Sequence, residues 1–292
     1  MDRPSSASSV KATRSFGWLG LTPFAAFIAV FLLFPTVIVF SEALRDRDGK
    51  RGFYYMGHAM SGEFFRAFKT TAHLSIVTAL AGGLIGTMLA YAIVTLRRPR
   101  FLKTAVSTFS GVASQMGGSA LAFMFIATLG LRGLVTTTLN DWFGVKLSDH
   151  GFDIFSYRGI QIVYMFFQIP LMVIVMLPAI EGMKAQWREA ASNLGASSTQ
   201  YWSHVGIPVL MPAVLSGVIL LFANAFSAFA TADALTGGGA NLVALKIGFY
   251  LRGNTINEPA LGNAIAVWMI LIVTLAIVLY NVLRKRTSRW LQ

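Results

Sequence analysis

The sequence predicts an all-α polytopic membrane protein with six transmembrane helices, and three observations carry that prediction. Of its 292 residues, 55% are hydrophobic and only 12% charged, whereas soluble domains are roughly a quarter charged; the mean hydropathy is +0.63. Six apolar stretches each approach the roughly 20 residues that cross a hydrocarbon core. The basic residues, which give a net charge of +12, cluster at the ends of those stretches, so topology explains them better than nucleic acid does. There is no cysteine, which excludes disulfides, thiol nucleophiles and thiolate metal sites. His58, His73, His150 and His204 form no i, i+4 ligand pair, and no metal site is expected.

Taken in order, residues 1–15 read as a basic, Ser-rich cytoplasmic tail with Arg3, Lys11 and Arg14, and residues 16–292 as one six-span domain. The first span covers about 18–40. Ser41-Glu42-Ala43 has the small-x-small look of a cleavage site, but the apolar run exceeds a signal-peptide core, so the span is expected to stay uncleaved. The second, about 70–96, follows an interfacial lead-in from Glu63 to Lys69 and carries Gly82, Gly83, Gly86 and Ala90, small enough for close helix contact. Arg97-Arg98-Pro99-Arg100 ends it.

The third span, about 105–129, holds Ser110, Ser114, Gln115 and several glycines, which argues for a face turned to protein or a pathway. After a loop from Leu131 to Tyr157, the fourth span, about 159–180, contains Tyr164, Gln168, Pro170 and Pro178. A polar loop at 182–211 follows. The fifth span, about 212–231, places Asn224, Ser227 and Thr231 at helical spacing and opens onto Asp233 and the turn Gly237-Gly238-Gly239. The sixth covers about 261–283, and Arg284-Lys285-Arg286 closes the chain. Placing both termini in the cytoplasm assigns 13 Lys and Arg inside against 11 outside. The majority is small, but the inside residues are grouped next to span ends, as the positive-inside rule expects.

The loop contains Glu189-Ala190-Ala191, then Gly195 after three residues, then Val205-Gly206-Ile207-Pro208. Good helix formers from Gln186 to Leu194 predict a short helix that Gly195 ends. The spacing resembles the EAA loop of the inner-membrane permeases of ABC importers. Val205 and Ile207 stand where that pattern has Ile and Leu, and aliphatic character is kept. The run Asn224 to Gly239, with Leu261-Gly262-Asn263-Ala264, is similar to the permeases of spermidine/putrescine, opine and 2-aminoethylphosphonate importers.

The resemblance covers about residues 70–285. It implies a type I ABC importer permease fold in a bacterial inner membrane. Glu189, Ala190, Ala191, Gly195, Val205, Ile207 and Pro208 would form the loop that couples to two ATPase subunits. A second permease, expected to be a homologous but different chain, would complete the pathway. An external binding protein would deliver the solute, a polyamine-like or other small organic amine.

No G-x-x-x-x-G-K-[ST] occurs, so no P-loop is expected on this chain. The expectation is a transport subunit, not an enzyme, with no cofactor of its own and with ATP and Mg²⁺ on the partner ATPase. Gln115, Tyr164, Gln168, Asn224, Ser227 and Thr231 are costly to bury in lipid, so each should line the pathway or bond to a neighbouring helix. Asp233 could greet a cationic solute or serve as a loop acid or cap. Phe222, Phe226 and Phe229, at i, i+4, i+7, read as packing. An ion-coupled transporter would need acids in the central spans and a membrane enzyme a catalytic grouping, and neither pattern is present; a non-transporting scaffold would leave the loop unexplained.

Overall fold

The computed structural model describes residues 17–46, 48–96, 100–146, 149, 151–252 and 258–288. The tail expected at 1–15 and the basic run at 97–99 lie outside them. Fourteen α-helices carry the described chain. They are α1 (Gly17–Ile28), α2 (Phe34–Ala43), α3 (Tyr54–His58), α4 (Gly62–Thr95), α5 (Arg100–Gln115), α6 (Gly118–Leu129) and α7 (Leu134–Phe143), then α8 (Tyr157–Glu181), α9 (Ala185–Asn193), α10 (Ser198–Tyr201), α11 (Ile207–Ser227), α12 (Ala230–Thr236), α13 (Val243–Leu251) and α14 (Pro259–Ser288). Among the described residues, six lengths are long and apolar enough to cross a membrane: Leu21–Ala43, Gly62–Thr95, Gly118–Phe143, Tyr157–Glu181, Ser198–Ser227 and Pro259–Val278.

Prolines shape two of these rods. A π-helical turn at Ala29–Leu33 joins α1 to α2, and another at Trp202–Gly206 joins α10 to α11. Each stands just before a proline, Pro35 or Pro208, whose ring would crowd a carbonyl four residues back. The chain widens instead: the Phe34 amide donates to the Ala29 carbonyl and the Ile207 amide to that of Trp202, five residues back.

The longest helix, α4, has 34 residues, about 51 Å at 1.5 Å per residue. It packs along α8 and α11 through its glycines. A Cβ at Gly86 would lie 2.7 Å from the Ile169 carbonyl oxygen, and one at Gly83 would lie 2.8 Å from Val218 Cγ2. Around this seam lie three apolar clusters. One gathers Leu74, Leu121, Ile160 and Tyr164, one Phe64, Phe226, Leu261 and Ile265, and one Met172, Met176, Leu210 and Leu221.

Several expected boundaries move. The second span begins at Gly62, not about 70, because its lead-in is already helical. The third, expected at 105–129, is divided: α5 stops at Gln115 and α6 starts at Gly118, whose φ of +76° interrupts the rod. By length and composition the apolar stretch there runs Gly118–Phe143, across the turn at 130–133 that separates α6 from α7. The fifth, expected at 212–231, begins earlier, because a capping box starts a helix at Ser198: Gln200 N–H donates to Ser197 Oγ, and Ser197 N–H donates to Gln200 Oε1. Helix α11 then ends at Ser227, before the expected boundary. Residues 198–211 therefore belong to a helical rod and not to the polar loop, which narrows to 182–197. Helices α7 and α13 fill stretches read as loops.

Candidate functional site: a short exposed helix and a groove at paired helix breaks

The expected short helix exists as α9, and its motif residues have a local cause. The Ala196 amide donates to the Ala191 carbonyl (2.9 Å), and the Gly195 amide to that of Ser192 (3.0 Å). With Gly195 at φ +76°, this is a Schellman cap, in which only the residue without a Cβ adopts the left-handed turn cheaply. Ala191 is the third residue from the helix end, and Gly195 lies just past it. The spacing from Ala191 to Gly195 therefore encodes where the helix stops.

Glu189 and Ala190 are exposed, Ala191 is half-buried, and Leu194 is 87% exposed. Val205, Ile207 and Pro208 stand instead on the π turn and the first turn of α11. Gly206 beside them is obligatory, since a Cβ there would meet the Trp202 ring at 2.4 Å. Trp202 in turn sits edge-on to Tyr91 of α4, 5.1 Å between centroids. The motif thus splits into a projecting helix and a docked anchor. Lys103 of α5 and Glu181 of α8, paired at 2.6 Å, brace the base of that end.

The polar residues of the spans converge elsewhere, at two helix breaks that face each other. Between α11 and α12 the chain is extended at Ala228, with ψ of 106°. Between α5 and α6 it turns at Gly117 and Gly118. Thr231 ties the two together: its Oγ1 accepts from the Gly118 amide (2.9 Å) and donates to the Gly118 carbonyl (3.1 Å). Tyr164 Oη donates to the Ala228 carbonyl at 3.0 Å. Backbone groups freed by the breaks are thereby satisfied inside the protein, the condition for irregular chain at membrane depth.

Two adjoining hollows open here. One, of about 560 Å³, lies among Leu171, Leu220, Ser227, Met269 and Val273; the other, of about 280 Å³, lies among Gly118, Phe167, Phe229 and Thr231. Ser114, Gln115 and Asn224 line both, so the hollows form one groove. Gln115 and Ser227 are exposed, and Asn224 is half-buried.

The predicted residues therefore separate. Gln115, Asn224, Ser227 and Thr231 come together at the groove, although the break means that Thr231 does not continue the helix of Asn224 and Ser227. Tyr164 and Gln168 do not line it. Both are buried, and Gln168 Nε2 donates to Thr78 Oγ1 at 3.0 Å, joining α8 to α4. Gln168 Oε1 and Ser75 Oγ have no hydrogen-bond partner among the described residues.

Asp233 is engaged within the chain. Its Oδ2 accepts from Arg252 Nη1 at 3.1 Å. The guanidinium lies 4.5 Å over the Phe229 ring, and the same ring fills the space beside Gly248, where a Cβ would meet Phe229 Cε2 at 2.6 Å. Phe222 and Phe226 pack together at 5.4 Å, whereas Phe229 has crossed the break to α13. Sequence reasoning missed Arg252, and its position one residue past α13 gave no signal. Near it in sequence, burial and then the Glu63 and Glu258 carboxylates hold the Tyr250 hydroxyl above its ordinary range. No group of three or more His, Asp or Glu that could hold a metal occurs among the described residues.

A bundle of apolar helices long enough to span a membrane, with a projecting capped helix and a polar groove at two facing helix breaks, is the build of a membrane transport subunit. The chain belongs to the family described as binding-protein-dependent transport system inner membrane component, whose model matches residues 82–289. It is 29% identical over 217 residues to the chloroplastic sulfate permease 2 of Chlamydomonas reinhardtii, 73% of this chain and 54% of that one. It is 28% identical over 109 residues to the molybdenum transport system permease protein ModB of Escherichia coli K12, 37% of this chain and 45% of that one. The chain thus spans about half the length of these two relatives. Against the sulfate transport system permease protein CysT of Salmonella typhimurium the identity is 27% over 231 residues, 76% of this chain and 77% of the relative.

Among solved structures, a bacterial alginate ABC transporter in complex with an alginate pentasaccharide-bound periplasmic protein superposes with a TM-score of 0.70. The identity there is 17%, and the match covers 93% of this chain and 94% of the other. That similarity carries the fold. The relatives named here transport sulfate or molybdenum, and none supports the organic amine expected from the sequence.

Proposed function

We propose that this chain is the permease subunit of an ATP-driven importer in a bacterial inner membrane, with both termini and α9 on the cytoplasmic side. The observation that carries the reading is α9 itself: a helix capped at both the residue and the spacing that the coupling motif requires, exposed at every residue but the half-buried Ala191, and followed by an anchor that docks on the longest span through Trp202. Two ATPase subunits, holding ATP and Mg²⁺, receive it. A second permease chain, homologous but different, closes the groove into a pathway, and an external binding protein delivers the solute. Closure of the ATPases moves the spans as bodies between two states, driven by the difference in nucleotide affinity between them.

The solute class proposed is a small anion. Two observations support it: sulfate and molybdenum in the names of most of the similar permeases, against iron in that of one, and the pairing of Asp233 with Arg252, which occupies the one carboxylate that sequence reasoning offered to a cation. The test is a pulldown of the detergent-solubilised chain from its own membrane, wild type beside Glu189→Arg. An ATPase that co-purifies with wild type and is lost from the variant is the expected result. A chain that purifies alone in both forms removes the importer reading and brings the scaffold reading forward.

A further inference from the structure

The Asp233–Arg252 pair is joined to the polar groove through one residue, Phe229. Phe229, whose ring carries the Arg252 guanidinium at 4.5 Å, lines the groove together with Gln115, Asn224 and Thr231. We propose that Arg252 is the solute-reading residue of this subunit: it meets the negative charge of an incoming oxyanion, and Asp233 is the internal carboxylate that occupies the guanidinium until the anion displaces it. This deepens the anion assignment made above and rests on it.

Three features of the geometry support an exchange over a permanent brace. The pair is solvated, with side-chain exposures of 59% for Arg252 and 30% for Asp233, and ion pairs that wet hold weakly. The aromatic ring keeps the guanidinium in place while its carboxylate partner changes, because the attraction to the ring face does not depend on Asp233. Among the described residues one contact, Nη1 to Oδ2, is made with the carboxylate, a single-point pairing weaker than the two-point grip that a planar fork offers a tetrahedral oxyanion. Gly248 fits the same picture, since any side chain there would push the ring out from under the guanidinium.

The discriminating experiment is a charge swap in the complete transporter. Uptake of labelled sulfate and of labelled molybdate is measured in cells carrying wild type, Arg252→Gln, Arg252→Lys, or Asp233→Arg combined with Arg252→Asp, with co-purification of the ATPase recorded for each. A brace is restored by the swap; a charge reader is not. Expected is a swap variant that assembles with its ATPase yet loses at least tenfold of anion uptake, as Arg252→Gln does, while Arg252→Lys keeps an intermediate rate. A swap variant that transports like wild type overturns the proposal. A wild-type complex that carries neither anion while its ATPase still co-purifies overturns the anion assignment and leaves the importer reading standing.

Discussion

Gly86 shows how much of this protein is decided by the absence of one atom. A Cβ there would lie 2.6 Å from Met172 Cβ and 2.7 Å from the Ile169 carbonyl oxygen. The carbonyl belongs to the α8 backbone and cannot rotate aside, so α4 must move off α8 to admit a methyl group. At Gly111 nothing lies within 4 Å of the same atom. Gly86→Ala is therefore expected to destabilise the solubilised protein by about 1–3 kcal/mol, the usual range for overpacking. Gly111→Ala, in an open helix position, should be neutral or stabilising by up to about 1 kcal/mol. Thermal unfolding of both variants in the same detergent checks the pair, and equal midpoints would mean that the α4–α8 seam is looser than drawn. The cluster of Gly82, Gly83, Gly86 and Ala90 was legible in the sequence as a close-contact stripe. Which helix approached was not, because spacing along one helix says nothing about its neighbour.

At the scale of elements, the two facing breaks organise the groove, and Thr231 holds them together with one hydroxyl. Replacing it by Val keeps the shape and removes both bonds to Gly118, leaving a backbone amide and carbonyl to find other partners at a cost of about 1–3 kcal/mol. Thr231→Val should accelerate amide hydrogen exchange around Gly118, and Thr231→Ser, which retains the hydroxyl, should not. Unchanged exchange in the Val variant would show that the breaks hold without this tie. The first break could be anticipated from Gly117 and Gly118. The second could not: Phe226-Ser227-Ala228-Phe229-Ala230 contains neither Gly nor Pro, and the chain opens there because the Tyr164 hydroxyl, 64 residues away in sequence, takes up the Ala228 carbonyl. Residues read as one helical stripe were thus divided by a tertiary contact. The capping box at Ser197 and Gln200 was the opposite case, a visible S-x-x-Q signal that places the start of a rod the sequence reading had assigned to loop.

At the scale of the whole molecule, the bundle leaves much apolar surface on its outside, and the 18-residue apolar window of Leu21–Ala43 contains no buried residue. Such a surface is stable only against lipid tails or other spans, which makes the orientation of the two polar ends the remaining question. Helices α7 and α9 flank α8 in sequence, and α8 has 25 residues, about 37 Å of rod at 1.5 Å per residue, enough to put them on opposite sides of a membrane. Because the chain has no cysteine, each end can be marked without background. Trp142 at the end of α7 is 78% exposed and Leu194 beside α9 is 87% exposed, so either accepts a thiol without disturbing packing. If α9 faces the ATPase, a membrane-impermeant maleimide added to spheroplasts labels Trp142→Cys at once and Leu194→Cys only after the membrane is opened. The reverse pattern would put α9 outside the cell, where no nucleotide-driven partner could reach it, and the coupling role would be lost even though every local feature of the helix remained.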